Sequence, residues 1–270
     1  TVITPGGGFN VTLDFYQIEV RDRIGITGNI AVTQQDRDFL VAQGVGQAAE
    51  LGALRYFTNA FRTRTTGADL VIAHRADTGL GRFNTSLAVN YNKTIVTDFR
   101  TINLNLASGR PLTLEPVNAV RRGNIEEAVP RWRAVLSSTY QKGIFDVTAR
   151  ASYFGTYTSV FDVQGGPFGP TPSSGINTLA EAQALYPQTP GDWRKTFGAQ
   201  FSFDLEVGLT FAERYRVAVG AQNLFNTLPE RETRNIYPGT GGALNGSQFS
   251  DFAPIGQMGG FWYVRGTAKF

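Results

Sequence analysis

The sequence predicts an all-β fold, an antiparallel transmembrane β-barrel segment with about eight long strands. Three observations predict it. Apolar and polar residues alternate over long segments, short and long connections alternate between those segments, and no window approaches the roughly 18 consecutive apolar residues of a membrane-spanning helix. Charged residues form only 17% of the chain, below the roughly 25% of soluble domains, so the composition also fits this class.

The clearest strand runs from Phe197 to Phe211, where apolar and polar residues alternate throughout. At about 3.3 Å per residue, this segment is longer than most strands of globular domains and can cross a bilayer. The segment from Phe145 to Tyr153 alternates equally cleanly. Six noisier segments complete the set, near residues 9–26, 62–74, 83–91, 131–140, 215–225 and 261–270.

Two local irregularities carry expectations of their own. In the first strand the apolar phase changes between Phe15 and Ile18, which predicts a β-bulge or a loss of membrane contact near Tyr16. Apolar residues at partly helical spacing predict a short helix within residues 27–55, and the 180–186 stretch has a similar pattern.

The connections between the strands favour a membrane barrel over a soluble β-fold. The short connections cover residues 74–83, 140–145 and 211–215, and the long ones cover residues 27–55, 99–128, 158–193 and 227–258. Soluble sandwiches and propellers seldom need loops this long. Outer-membrane barrels combine short periplasmic turns with long extracellular loops, and on that assignment Phe270 ends in the periplasm.

Aromatic residues gather near the predicted strand ends. Amphipathic rings favour the headgroup level of a bilayer and form girdles around membrane barrels. The alternative is that these rings form the core of a soluble sandwich, and the loop pattern favours the girdles. The predicted girdle residues are Tyr140, Tyr153, Phe211 and Tyr215.

Several function classes find no support in the sequence. There is no cysteine, and the net charge of +3 comes from Lys and Arg scattered among acids, so we expect no disulfide, no nucleic-acid partner and no cofactor. The only histidine, His74, is interpreted as a surface residue in a turn, because no partner for it is visible. Neither metal-ligand spacing nor a convergent catalytic set occurs, so we expect no enzyme activity.

The C-terminal third resembles a known family. The run from Phe211 to Asn226 is similar to the penultimate strand of TonB-dependent receptor barrels, which ends in a motif matched here by Asn223-Leu224-Phe225-Asn226. The closing run from Gly260 to Phe270 is similar to the final strand of the same receptors, and the stretches 11–20 and 57–70 are similar to earlier ones. One departure concerns the final strand, where Ala268 and Gly266 are smaller than the family's usual residues.

The resemblance implies a location, partners and a function. It implies that residues 1–270 are the C-terminal portion of an outer-membrane receptor of a Gram-negative bacterium, with the plug and earlier strands missing, and that outer-membrane lipid surrounds it. The receptor would take up a scarce ligand, such as an iron-siderophore, a vitamin or a saccharide, with energy coupled through the TonB complex by way of the plug. The barrel-assembly machinery would read a C-terminal insertion signal of Trp262, Val264 and Phe270.

The polar phase of the strands predicts the wall of a lumen. In a complete barrel such residues contact water, the plug or a passing solute, although plain solvation of the wall is an equal alternative for any one of them. The lumen-facing candidates are Arg64, Asp69, Arg150, Asp204, Glu206 and Arg265.

Two other functions stay open at this point. Small barrels of eight strands exist, so the chain has the alternative of being a self-contained outer-membrane barrel with a structural or adhesive role. A membrane-embedded hydrolase that uses His74 is the second alternative, which loss of His74 without loss of activity would exclude.

Overall fold

A nine-stranded antiparallel sheet dominates the computed structural model, which describes residues 1–26, 30–114, 117, 119–160, 194–232 and 248–270. The order of the strands in the sheet is the same as their order along the chain. Among the described residues the first and last strands do not pair with each other, so the sheet is open. In order the strands are β1 (Val2–Gly6), β2 (Phe9–Ile26), β5 (Phe57–Thr78), β6 (Gly81–Phe99), β9 (Trp132–Lys142), β10 (Phe145–Phe154), β13 (Gln200–Phe211), β14 (Tyr215–Gln222) and β15 (Phe261–Ala268).

Short elements occupy the long connections at one end of the sheet, called here the loop end, and the opposite end is the turn end. Three two-stranded sheets lie in these connections: β3 (Ile30–Ala31) with β4 (Ala53–Leu54), β7 (Ile102–Asn105) with β8 (Pro111–Leu114), and β11 (Tyr157–Val160) with β12 (Arg194–Phe197). The helices are α1 (Gln34–Ala42), a 3₁₀ helix (Gly46–Glu50) and α2 (Ala119–Glu127). None of the helices in the described part of the chain is long and apolar enough to cross a membrane.

The sequence-based expectations for these elements are largely confirmed. All eight predicted strands are present, and α1 confirms the helix expected within residues 27–55. The short strand β1 was not predicted, nor was α2. The stretch 180–186 lies outside the described residues.

The pairing register divides the sheet into an apolar face and a polar face. Val147 pairs with Tyr140 on one side and with Val207 on the other, and Val207 pairs in turn with Val219. The next row, one residue along, instead joins Thr139, Thr148 and Glu206. Because neighbouring residues of a strand point to opposite faces, the register aligns like with like across the sheet.

Aromatic side chains form a row at each end of the apolar face. Tyr91 pairs with Trp132 at the loop end, and Phe83 pairs with Tyr140 at the turn end. Eight residues separate Phe83 from Tyr91, roughly 26 Å of strand or about 20 Å along the membrane normal at a tilt of about 40°. Of the predicted girdle residues, Tyr153 belongs to the loop-end row, whereas Tyr140, Phe211 and Tyr215 lie at the turn end.

The long predicted strand at Phe197 is shorter than expected. Strand β13 begins at Gln200, and Phe197 belongs to β12, where its buried ring stacks on Tyr157 at a centroid distance of 4.8 Å. The chain leaves strand geometry at Gly198, whose N–H donates to Glu230 Oε2 at 2.8 Å. The alternation of apolar and polar residues continues through Gly198. It therefore does not show that the residues before Gly198 pair with β11 and those from Gln200 onward pair with β10.

The bulge expected near Tyr16 lies elsewhere. Strands β2 and β5 pair without interruption from Phe9 to Val20, and the register shifts only between Val20 and Ile24. Asp22, inside this bulge, has φ of 52°, which short polar residues tolerate better than most. Of the two alternatives for the phase change, the bulge at Tyr16 was wrong because the pairing is unbroken there. The other alternative, a loss of membrane contact near Tyr16, stays a prediction.

His74 is not in a turn. It lies within β5 on the apolar face, pairs with Phe9 and Thr85, and stacks on the Phe9 ring at 4.0 Å between centroids. The strand continues to Thr78, four residues further than expected. Pairing with a neighbouring strand decides where a strand ends, and that information is not local.

Glycines on the polar face give room to tyrosine rings. A Cβ atom at Gly67 would collide with the Tyr16 ring, and one at Gly220 would collide with the Tyr263 ring. Each tyrosine lies on a strand next to its glycine. Such aromatic cover offsets the weak strand propensity of glycine.

We predict that Gly220→Ala lowers the free energy of unfolding of the complete receptor by about 1 to 3 kcal/mol, because the new methyl displaces the Tyr263 ring. Urea denaturation in detergent, followed by tryptophan fluorescence, measures this. Gly266→Ala is the matched control on the neighbouring strand, because a Cβ there meets no atom within 4 Å. Equal stability of the two variants would contradict the prediction.

Candidate functional site

An ion cluster connects four strands on the polar face near the turn end. Arg216 on β14 donates from Nε to Asp146 Oδ1 at 2.8 Å and from Nη2 to Glu206 Oε1 at 2.8 Å. The Tyr263 hydroxyl donates to Glu206 Oε2 at 2.7 Å, and Arg265 Nη2 lies 3.5 Å from the same oxygen. Both carboxylates are mostly buried, with side chains 14% exposed. The cluster therefore ties β10, β13, β14 and β15 together through charge-assisted hydrogen bonds.

A glycine makes the central contact of this cluster possible. Asp146 is on β10 and Arg216 is on β14, so the arginine has to cross the intervening strand β13. The residue it crosses is Gly208, where any Cβ would collide with both the guanidinium and the carboxylate. The sequence thus places its smallest residue where two long side chains meet.

Five of the predicted lumen-facing residues share the polar face. Glu206 and Arg265 are in ion contact there. Asp204 pairs in register with Arg150 but accepts the Asn223 N–H at 2.9 Å, and Arg150 forms no ion pair within the described ranges. Asp69 accepts from the amide of its neighbour Asn90 at 2.6 Å.

Arg64 does not belong to that set. It lies five residues before Asp69 in β5, and the pairing of β5 with β6 is unbroken from Thr63 to Thr78. An odd separation without a bulge puts two residues on opposite faces. The prediction for Arg64 was therefore wrong, and its side chain follows the register of the apolar face, in line with Glu19 and Ile95.

Two members of the cluster were missed in the sequence. Asp146 stands next to a short turn, where an acid is usually solvated, although the alternation places it on the polar phase. Tyr263 sits in a run of three aromatics and was not singled out as a lumen-facing candidate, whereas the register puts it opposite Gly220 on the polar face. Trp262 and Val264 do lie on the apolar face, and Phe270 follows the end of β15.

The motif Asn223 to Asn226 forms the turn that ends β14. Both asparagines have positive φ, 49° and 53°, a conformation for which asparagine is enriched. The Asn223 side chain exchanges two hydrogen bonds with the backbone of Thr227, and Asn226 Oδ1 accepts the Gly260 N–H at 2.9 Å, just before β15. The ring of Phe225 meets Phe203 edge-on at 5.3 Å. The motif is thus a structural corner that directs the chain toward its last strand.

Helix α2 covers the polar face at the loop end. Val96 follows the polar-face register of β6 and is buried against Val117 and Ile125. Glu126 Oε1 accepts the Val96 N–H at 2.8 Å, beside the point where the β5–β6 register shifts. Asn124 exchanges two hydrogen bonds with the backbone of Val160, at 2.9 and 2.8 Å, and so holds β11. Val117 and helix α2 therefore lie over the polar face at this point.

A buried carboxylate joins two of the long connections. Asp36 caps α1 through Thr33 and binds Arg110 at 2.7 Å and the Ser108 hydroxyl. Its side chain is 9% exposed and that of Arg110 is 23% exposed. The hydrogen bonds from Arg110 and then Ser108 hold the pKa of Asp36 far below its usual range. Residues 30–54 and 102–114 thus form one joined unit.

Arginines concentrate where α2 meets the loop end of β2 and β5. Arg121 donates to the carbonyl oxygen of Ile26, and burial, together with the charge of Arg55, lowers the pKa of Arg121. Arg23 lies over the Phe61 ring at 5.2 Å and donates to Thr63 Oγ1 at 3.1 Å. Two like charges close together favour the binding of an anion between them. Within the described ranges, no group of His, Cys, Asp or Glu has the arrangement of a metal site.

Comparison with known proteins identifies the family. A sequence profile described as TonB dependent receptor-like, beta-barrel matches residues 3–224, most of the chain. The chain belongs to the TonB-dependent receptor β-barrel family. Comparison with curated protein sequences gave no significant match.

Solved structures of outer-membrane transport proteins are similar to this chain over part of their own length. The outer membrane transporter YddB from Escherichia coli matches with 9% identity and a TM-score of 0.51 over 84% of this chain and 28% of its own. The copper transporter OprC matches with 12% identity and a TM-score of 0.49 over 98% and 30%, respectively. The ferripyoverdine receptor of Pseudomonas aeruginosa matches with 12% identity and a TM-score of 0.42 over 83% and 22%. The chain thus spans less than a third of the length of these proteins.

Membership of the TonB-dependent receptor family settles the broad class. The protein is an outer-membrane protein of a Gram-negative bacterium with the antiparallel barrel fold of that family, and it is not an enzyme. The hydrolase alternative built on His74 is thereby excluded.

We predict that Arg216→Gln destabilises the complete receptor by about 2 to 4 kcal/mol, because it leaves the Asp146 and Glu206 carboxylates facing each other without their shared cation. Arg265→Gln is the control, with an expected loss below about 1 kcal/mol, because the Arg265 side chain is 56% exposed and its ion contact is long. Denaturation in detergent measures both. Adding Asp146→Asn to Arg216→Gln should recover part of the loss, and no recovery would count against the mechanism.

We predict that Asp36→Asn speeds amide hydrogen exchange in residues 102–114 roughly 100-fold, because breaking a buried ion pair costs about 3 kcal/mol of local stability. A lowered folded-state pKa means that this contact is fully present above the ordinary value of about 3.9 and is lost as the pH falls through the lowered value. Exchange at neutral pH and at pH 5 should therefore be alike once corrected for intrinsic rates. Asp38→Asn, on the exposed side of the same helix, should leave the exchange of residues 102–114 unchanged at both pH values.

Proposed function

We propose that residues 1–270 are the C-terminal portion of a receptor that takes up a scarce ligand across the outer membrane, with energy supplied through TonB. The observation that supports this most directly is a two-faced sheet whose polar face is covered at the loop end by helix α2. In this proposal the polar face lines the lumen, the apolar face contacts lipid and the loop end is extracellular. Membership of the receptor family supports the role in uptake, and the strand register supports the assignment of the two faces.

The polar face has the composition expected of a wall that meets a plug. Arg150 and Asp69 present charge without a closed ion pair among the described residues, while the Arg216 cluster is already satisfied internally. We therefore propose that Arg150 and Asp69, rather than Glu206 and Arg265, contact the plug or a passing solute. Coupling to TonB would run through that plug.

For the ligand we propose an anion, such as a negatively charged iron chelate, rather than a neutral vitamin or saccharide. Arg121 on α2 donates to the carbonyl oxygen of Ile26 and lies within reach of the charge of Arg55, so an arriving ligand would meet positive potential there. A separate proposal concerns the C-terminus. We propose that Trp262, Val264 and Phe270 form the signal that the barrel-assembly machinery recognises. Their position on or just beyond the apolar side of β15 supports this.

A self-contained barrel remains the second candidate. It would require β1 to pair with β15, and these strands do not pair among the described residues. In hydrocarbon each open edge leaves backbone groups unsatisfied at several kcal/mol apiece. The open sheet therefore favours the receptor.

We predict that Arg55→Gln combined with Arg121→Gln weakens binding of an anionic ferric chelate to the purified complete receptor at least tenfold, because charge-assisted contacts contribute about 1.4 kcal/mol or more. Titration calorimetry measures the affinity, and uptake of the radioactive chelate by cells with and without TonB tests the coupling. Arg82→Gln, on β6 beside the turn at the opposite end, is the control. Unchanged affinity in the double variant would refute an anionic ligand, and uptake independent of TonB would refute energised transport.

A further inference from the structure

Two large aliphatic side chains of β2 lie exposed on the polar face of the sheet. Ile18 pairs with Thr65 and Val20 pairs with Thr63, and both threonines follow the polar-face register of β5. Ile18 is 52% exposed and Val20 is 44% exposed. Because the pairing is unbroken from Phe9 to Val20, the change of apolar phase along this strand moves its apolar residues from the apolar face to the polar face.

Strand propensity alone does not require alkyl side chains at these positions. The next row position on the neighbouring strands is threonine, and the hydroxyl groups of Thr65 and Thr94 lie 2.8 Å apart in a hydrogen bond. Threonine is β-branched as well and suits a strand equally. With the half-buried ring of Tyr16, the side chains of Ile18 and Val20 instead form an apolar strip roughly 13 Å long, since they are alternate residues of one strand.

The apolar strip borders the arginines near α2. Arg23 donates from Nη1 to Thr63 Oγ1, on the register partner of Val20, at 3.1 Å. Val96, in the same row, is buried under α2, so the helix forms a wall beside the exposed end of this row on β2. Arg121, on that helix, donates to a carbonyl oxygen further along β2. Apolar surface and cations therefore lie side by side.

The position of the apolar strip fits a solute that arrives from outside. The strip begins one residue beyond Phe15, which is in the register row of Tyr91 and Trp132 in the loop-end aromatic row. It is on the polar face, so the lipid that meets the apolar face does not cover it. Ligand sites are lined mainly by apolar side chains, with a few polar groups that fix orientation. A strip beside cations thus suits a ligand in which an apolar group is joined to an anionic one.

We propose that Tyr16, Ile18 and Val20 bind an apolar group of the transported ligand, so that the ligand carries such a group next to its anionic part. This inference rests on the proposed role in uptake and on the loop end being extracellular. It adds three contact residues on the strand wall to the arginines near α2, and it narrows the ligand to an amphipathic anion.

The test compares two iron(III) chelates by titration calorimetry on the purified complete receptor. One is an anionic tris-catecholate chelate, and the other is the same chelate with a butanoyl chain attached away from the metal. The wild type should bind the butanoyl form at least tenfold more tightly, since burial of roughly 60 Å² of apolar surface is enough for that ratio. Equal affinity, which is expected if the plug covers the apolar strip, would overturn the inference.

Variants of β2 then locate the contact. Ile18→Thr combined with Val20→Thr keeps both side chains β-branched, and it should remove the preference for the butanoyl form while affinity for the other chelate stays within twofold of the wild type. The matched control, Gln17→Thr with Glu19→Thr, changes the opposite face of the same strand and should keep the preference. A tenfold preference that persists in the first variant, or an equal loss in the control, would show that the butanoyl chain binds elsewhere.

This inference and the proposal of an anionic ligand fail in different ways. Arg55→Gln with Arg121→Gln should weaken binding of both chelates and leave the tenfold ratio between them, because the apolar strip is intact. Unchanged affinities in that variant would refute the anionic ligand, while the ratio would still support the strip. A ratio of one in the wild type would refute the strip and leave the arginines as the proposed site.

Discussion

The structure depends on one constraint, which is that the side-chain register has to hold without slipping wherever the sheet meets hydrocarbon. A slip of one residue would turn every apolar side chain of a strand to the wrong face, and an unpaired backbone group would cost several kcal/mol. The register shifts of β2 with β5 and of β5 with β6 lie beyond the loop-end aromatic row, near Asp22 and Thr97, whereas the short strand β1 shifts against β2 between Ile3 and Gly6. Beyond the loop-end row, irregular backbone finds other partners, as Val96 does in the carboxylate of Glu126.

The same register forces crowding on the polar face, where long side chains from neighbouring strands reach across one another. The chain relieves the crowding with glycine, because Gly208 lets Arg216 reach Asp146 and Gly220 accommodates the Tyr263 ring. Glycine weakens a strand by itself, so each of these positions gains stability from the side chain that covers it. On this polar face, a glycine lies at each of the two points where Arg216 and Tyr263 cross a neighbouring strand.

The sequence was sufficient for those features that depend on neighbours within the chain. Alternation is local, so the eight long strands and the polar phase of Glu206 or Arg265 were predictable. Features that depend on a partner strand were not: the break at Gly198, the continuation of β5 through His74, and the fold of α2 onto Val96. The Asn223 motif was recognised by resemblance alone, and its positive φ angles, which explain it, became visible only in the structure. The prediction for Arg64 was wrong because its five-residue separation from Asp69, along an unbroken pairing, puts the two on opposite faces.

In such a sheet, a shift of one residue decides whether an arginine lies on the polar face or on the apolar face. Arg150 and Arg64 are both single cations in long strands, and neither forms an ion pair among the described residues. Parity relative to the pairing register puts Arg150 on the polar face and Arg64 on the other face, beyond the aromatic row. A cation on that side is tolerated only beyond the apolar band, because at mid-depth it would cost about 2 to 4 kcal/mol. The position of Arg64 along its strand is therefore as constrained as its face.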